Sequence, residues 1–335
     1  MPALTLAVAL GVASASHAFE TAHTLFRIGT AGQQGTYYPI GTLIADAISG
    51  GSPPCPPSGE CGVPGLLAVA QLSNGSVSNV KAITAGAIEA GLVQADVAYW
   101  AYTGTEIFAD QGNHPELRAV ASLYPESVHL VTRSGSALRS VAALAGRRVS
   151  LDEPGSGTLV DARLVLDAYG LAESQLKPVY LKPQFAAELL VEGKLDAFFI
   201  VGGYPAKSVL RLAAGTGAGL IPIDGAPARR ATQMNPFFAP GSIPAGTYPR
   251  IPETSTLQVG AQLLVNAKLD EGLVYRITKS LWSTRTLQRL SEGHPKGDAI
   301  RLQNAVSGVA VPLHPGAARF YREAGVLPAT SEPAE

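Results

Sequence analysis

Charge, cysteine and long apolar runs are all scarce in this sequence, and each shortage excludes something. Only 15% of residues are charged, and 25 lysines and arginines against 26 aspartates and glutamates leave a net charge of −1. A chain so balanced has no basic surface with which to release counterions, so no nucleic-acid partner is expected. Beyond the N-terminus no run of about 18 apolar residues occurs, which excludes a transmembrane helix in the body of the chain. Two cysteines are too few for a structural zinc site, and the six histidines are scattered singly. No His-Glu-x-x-His, P-loop or Gly-x-Ser-x-Gly pattern is present. No metal site and no catalytic residue are therefore expected.

What is plentiful is apolar residues, at 46% of 335, together with 36 glycines and 25 prolines. The length suggests about two domains with sizeable cores and many loops. Leu4 to Val12 is almost wholly apolar, and Ser16-His17-Ala18 follows. That pattern fits a signal peptide, residues 1–18, cleaved after Ala18, and hence a periplasmic protein. The competing reading is an ordinary buried segment. Cys55 and Cys61 flank a short proline-rich stretch. In an exported chain they read as a disulfide loop, with two free surface thiols as the alternative.

Strand-like and helix-like stretches alternate in two sets, which predicts parallel sheets covered by helices. The first set has strands at Leu25–Ile28, Leu66–Leu72, Gly91–Gln94 and Leu117–Leu123, with helices between them. The second has strands at Val128–Thr132, Arg147–Leu151, Pro178–Leu181, Leu195–Val201 and Gly219–Ile223. Asp224 to Thr256 has little periodicity and reads as a long connection. A strand at Leu257–Val265 and further helices close the chain.

Each set contains a strand, a glycine loop with Gly-Thr, and a helix. The first loop is Gly32-Gln33-Gln34-Gly35-Thr36-Tyr37-Tyr38-Pro39 and the second is Pro154-Gly155-Ser156-Gly157-Thr158. Either loop alone could be a simple tight turn. Facing each other, the two helix starts would clamp a small anion. Thr158 suits an N-cap in the second loop, and Asp96 suits one as well. Other polar clusters follow strands: Ser73-Asn74-Gly75-Ser76 with Asn79, Gln94 to Asp96, and Gly202 to Pro205 with Tyr204. In open α/β sheets ligands bind beyond such strand ends.

These motifs together resemble the TAXI family, the extracytoplasmic receptors of TRAP transporters. The resemblance rests on Phe26 to Gly41, Ser73 to Val80, Leu92 to Val97, Ala121 to Glu126, Glu153 to Thr158, and Asp196 to Phe199 with Gly203 to Pro205. It covers roughly residues 24 to 325, and Gln33 and Gln34 stand where many relatives have smaller residues. It implies a two-lobed periplasmic binding-protein fold of the type with two crossovers, an α/β architecture that closes on cargo. Lobe 1 would be residues 19–124 and 225–325, lobe 2 residues 125–224, and 326–335 a tail. Cargo would be a small carboxylate or amino acid, glutamate-like or a dicarboxylate. The partner would be a TRAP permease, the receptor a monomer, and no cofactor would be needed. The expected ligand-binding residues are Gln34, Gly35, Thr36, Tyr37, Tyr38, Ser73, Asn74, Gly75, Ser76, Asn79, Gln94, Asp96, Ser156, Gly157, Thr158 and Tyr204. Ser156, Gly157 and Thr158 are expected to hold an anionic group of the cargo. The alternatives are a ligand-sensing subunit of a membrane histidine kinase, or an enzyme on the same fold.

Overall fold

A computed structural model describes residues 24–50 and 62–328. The expected signal peptide, Cys55, Cys61 and nearly all of the tail lie outside the described residues. Among the described residues no helix is long and apolar enough to cross a membrane.

Strand β1 (Thr24–Gly29) turns Phe26 and Ile28 into the core and leaves Leu25 outside, the period of two that a strand dictates. Helix α1 (Tyr37–Ile48) buries Ile40, Ile44 and Ile48, one helical turn apart. β2 (Leu66–Gln71), α2 (Ser76–Thr84), β3 (Ala90–Gln94) and α3 (Ala95–Thr103) follow. β3 is buried along its whole length, hence its unbroken apolar run. β1 pairs in parallel with both β2 and β3.

The next strand departs from expectation. Leu117–Arg133 is one strand of 17 residues, β4, where two had been read. Pro125 cannot donate to the ladder. The pairing continues past it, with Pro125 opposite Gly260, and β4 then bulges at Leu123, where the register against β10 shifts between Ala261 and Gln262.

The second half contains β5 (Arg148–Ser150), α4 (Gly157–Ala168), β6 (Lys177–Val179), α5 (Pro183–Val191), β7 (Ala197–Gly202), α6 (Lys207–Ala214) and β8 (Ala218–Leu220). The supposed long connection is structured too. It forms α7 (Gly225–Met234) and β9 (Ala239–Ile243), and β10 (Thr254–Asn266) begins before it ends. α7 buries only Ala228 and Ala231, too thin an apolar stripe to register as periodicity. Helices α8 (Glu271–Leu281), α9 (Thr284–Gly293) and α10 (Pro315–Glu323) then cover the first half.

The ten strands form one mixed sheet, where separate parallel sheets had been expected. Its order is β2-β1-β3-β10-β4-β7-β5-β6, with β8 on β4 and β9 on β10. β10 is antiparallel to β3, β4 and β9, and β4 is antiparallel to β7 and β8. The long strands β4 and β10 run through both halves and join them.

Each half has apolar cores of its own. Phe26, Ile44, Leu92 and Ile277 belong to one in the first half, and Leu144, Leu166 and Phe199 to one in the second. Truncating such a buried Leu or Ile to Ala costs about 2–5 kcal/mol. Ala228, Phe238 and Leu257 pack with Phe199, while Ile243, Tyr248 and Ile251 pack with Phe198. Segment 225–258 therefore packs with the second half. The expected boundary after residue 224 falls too early, because the chain returns to the first half within β10.

Candidate functional site

Four helices start around one cavity between the two halves. Its wall includes Gly35, Thr36 and Tyr37 at the start of α1, Gly75 and Ser76 at α2, Ser156, Gly157 and Thr158 at α4, and Pro183 and Gln184 at α5. Gln94, Glu126, Asp152, Glu153 and Lys182 complete its polar lining. The cavity volume is about 60 Å³. At about 10–15 Å³ per water, it holds roughly four to six waters or a compact small molecule.

The helix starts are not equivalent. The Ser156 hydroxyl accepts from Leu159 N at 3.0 Å, so Ser156 caps α4. The expected cap, Thr158, lies inside the helix. Its Oγ1 accepts from Val201 N at 3.0 Å. No described side chain caps α1 or α2. Thr36, the N-cap position of α1, turns its hydroxyl away to donate to the Gly203 carbonyl at 2.7 Å. Gly75, at φ +115°, occupies the N-cap position of α2, a conformation that favours glycine. The amides of Tyr37 and Tyr38 at α1 and of Ser76 and Val77 at α2 thus keep their capacity for an anion, whereas Pro39 has no N–H and Ser78 N is taken by the Gly155 carbonyl.

The second glycine loop is turned the other way. Its carbonyls at Pro154 and Gly155 accept from Asn74 Nδ2 at 3.1 Å and Ser78 N at 3.0 Å, both in the first half. The two halves also meet at Gly157. A Cβ there would lie 1.5 Å from Gln94 Oε1, so glycine permits this approach. With Thr36 on Gly203, these contacts tie the two halves together around the cavity.

The floor is acidic. Glu126 on β4 is 2% exposed and accepts from the Tyr37 hydroxyl at 2.7 Å. Burial pushes its carboxyl up to about 8, against the Tyr37 hydrogen bond. Asp152 is pushed up to about 7, also chiefly by burial. It holds φ +73°, a left-handed conformation that costs a non-glycine residue about 1–3 kcal/mol. Lys182 Nζ pairs with Glu153 Oε1 at 3.0 Å. Behind the wall, Lys296 Nζ lies 3.4 Å from the centre of the Tyr204 ring, and burial lowers its ammonium to about 8.

Several expected residues lie elsewhere. Gln34 lines a neighbouring groove with Gln184 and Ser208. Tyr38 is on α1 but outside the wall. Ser73 and Asn79 brace the loop: Ser73 Oγ donates to Thr30 O, and Asn79 Nδ2 donates to Thr30 O and Leu92 O. Asp96 is buried behind the wall and is not an N-cap, that position of α3 belonging to Gln94. Tyr204 lies under Lys296 and does not reach the cavity. Glu126, Asp152, Glu153 and Lys182 had not been chosen. Asp152 and Glu153 directly follow β5, so the strand-end rule could have found them.

The fold and site define a two-lobed α/β protein with a polar cavity between its lobes. The NMT1-like family model matches residues 28–325, and the chain belongs to that family. A solved structure from Bordetella bronchiseptica RB50 superposes with a TM-score of 0.51 at 13% identity, covering 92% of this chain and 85% of that one. The alkanesulfonate-binding protein SsuA from Xanthomonas axonopodis pv. citri, bound to MOPS, gives 0.47 at 17% identity, with 91% and 94% covered. The periplasmic aliphatic sulphonate binding protein SsuA from Escherichia coli gives 0.46 at 16%, with 88% and 82% covered.

Proposed function

We propose that the protein is an extracytoplasmic solute receptor that encloses one small carboxylate or amino acid between its lobes and delivers it to a membrane permease. The observation that carries this reading is the pairing, in one interlobe cavity, of two helix starts that no side chain caps with buried carboxyls. The cargo carboxylate sits at the starts of α1 and α2, where the amides and helix dipoles favour negative charge. Glu126 and Asp152 face the opposite need. Each accepts from an ammonium when ionised, and each can donate one hydrogen bond when protonated. That division favours an amino acid over a dicarboxylate, since a second carboxylate would face the acidic floor.

The lobes hinge on β4 and β10, with the boundary inside β10. The permease is of the TRAP type that the sequence resemblance implies, and the protein acts in the periplasm as a monomer. A neighbouring histidine-kinase gene in place of a permease gene would favour a sensing role instead. The cargo itself is testable directly. Protein purified without refolding should release a small amino acid or carboxylate on denaturation, identified by mass spectrometry. That compound should rebind in calorimetric titration with one site per chain. Release of nothing, together with no heat from a panel of amino acids and dicarboxylates, would sink the reading.

A further inference from the structure

Behind the cavity two aspartates meet across the lobe interface. Asp96 is carried by α3 in the first half and Asp161 by α4 in the second, and both are completely buried. Asp96 Oδ1 accepts from Val97 N at 2.8 Å, and its Oδ2 accepts from Asn235 Nδ2 at 2.9 Å. Asp161 Oδ2 accepts from Gln94 Nε2 at 2.8 Å. Asp161 Oδ1 is buried and has no N–H or O–H donor among the described residues. Gln94 is the N-cap of α3, two residues before Asp96, so its bond to Asp161 holds the two carboxyls beside each other, where each acts on the other's hold on a proton.

An acceptor buried without a donor is a costly defect. Two carboxylates in contact cannot both be ionised either. One proton between them removes both faults, because it neutralises one carboxyl and supplies the missing donor. The surrounding groups do not provide a substitute. Gln94 and Asn235 bring hydrogen bonds but no charge. Glu126 on β4 is a third acid and adds to the repulsion on Asp161. Lys296 acts on Glu126, whose other close neighbours are the hydroxyls of Tyr37 and Tyr124. Burial and the Asp96 charge both drive the Asp161 carboxyl well above its ordinary range.

We propose that Asp96 and Asp161 together form a proton-binding site that exists only while the lobes are closed, so that closing the receptor takes up one proton. The proposal rests on the hinged reading above but not on the identity of any cargo. Opening the lobes would separate the two carboxyls, return each to water and release the proton.

The test uses cargo-free protein. Above the ordinary aspartate range of about 4, the folded pair carries one proton that the unfolded chain lacks. The wild-type folding constant should therefore include a tenfold loss per pH unit from this pair alone, until the pair ionises. Asp161→Asn replaces the proton by an amide N–H. Between pH 5 and pH 7 the slope of its log folding constant against pH should be shallower than wild type by one proton. Asp96→Asn should give the same difference and carries the test if Asp161→Asn does not fold. Glu126→Gln, which removes a separate proton, should leave the difference made by either Asp substitution intact. Slopes parallel to wild type in both Asp variants would overturn the proton site. Closure is read by small-angle scattering. The wild-type radius of gyration should increase from pH 5 to pH 8.5, and that of Asp161→Asn should not. A pH-independent radius in the wild type would overturn the link to closure. Failure to find any cargo would leave both results readable.

Discussion

The two glycine loops look alike in sequence and do opposite things. In the first, Thr36 spends its hydroxyl on the far lobe, and α1 is left uncapped. In the second, Ser156 caps α4, Thr158 is engaged by Val201, and two loop carbonyls accept from the first lobe. The first loop therefore offers donors to the cavity, while the second fastens the lobes together. A glycine loop before a helix is an anion seat only if the chain does not fill it first. The expected anion site at Ser156 to Thr158 moves accordingly to the starts of α1 and α2 in our reading.

The largest expected effect tests the floor between the loops. Burial raises the folded carboxyl of Glu126 from 4.5 to about 8. The folded state then holds a proton that the unfolded state gives up above about 4.5. Stability from this group is full below that value and is lost as pH rises to about 8. At ~1.4 kcal/mol per pH unit, the loss approaches roughly 4–5 kcal/mol. Asp152, raised to about 7, has the same sign. Thermal melting from pH 4.5 to 8.5 should show this decline, and Glu126→Gln should flatten it. Equal slopes in wild type and variant would mean that Glu126 is ionised in the folded protein.

Next in size is Thr158→Val. It keeps the shape but removes the hydroxyl that accepts from Val201 N. Leaving a buried N–H unpaired costs about 1–3 kcal/mol, so melting should fall. Affinity for the compound released from the purified protein should change less than threefold. A tenfold loss of affinity at unchanged stability would return the anion seat to the second loop.

Tyr37→Phe probes the opposite side. Tyr37 is buried at the start of α1 and donates to Glu126 Oε2 at 2.7 Å. Without that donor Glu126 has less reason to ionise and is freer to turn. Cargo affinity should fall about tenfold, or ~1.4 kcal/mol. Calorimetric titration at one pH checks this, and an affinity equal to wild type would remove Tyr37 from the recognition machinery.

Much of this was legible because strands followed by glycine loops and helices leave a strong pattern. The ends of β1, β3 and β7 lie within a residue of expectation, and a helix follows each of the two glycine loops. What was not legible depends on partners distant in sequence. β4 continues through Pro125 because β10 pairs with it on both sides of that residue. The segment from Asp224 to Thr256 looks loose because its elements are short and its contacts lie on α4 and β10. Glu126 lay inside a quoted motif, but nothing local marks it as buried. Asp161 sits on a helix rich in valine and leucine, and its partner Asp96 is on another element. Lys182 carries no signal at all beyond being a charge near a strand end.

The smallest expected effect is the one that isolates the cap. Ser156→Ala removes the hydroxyl that accepts from Leu159 N. Loss of a serine cap costs about 1 kcal/mol. If the second loop is a fastener, that cost should appear in the melting temperature alone. The backbone carbonyls of Pro154 and Gly155 would still hold Asn74 and Ser78, so the halves would still close. Uncapping α4 also frees an amide beside the cavity, and with it a third helix start for the cargo. Affinity for the released compound should therefore hold or rise slightly while stability drops. A fall in affinity parallel to the fall in stability would show that the Ser156 hydroxyl itself touches the cargo, and the two loops would then be working alike after all.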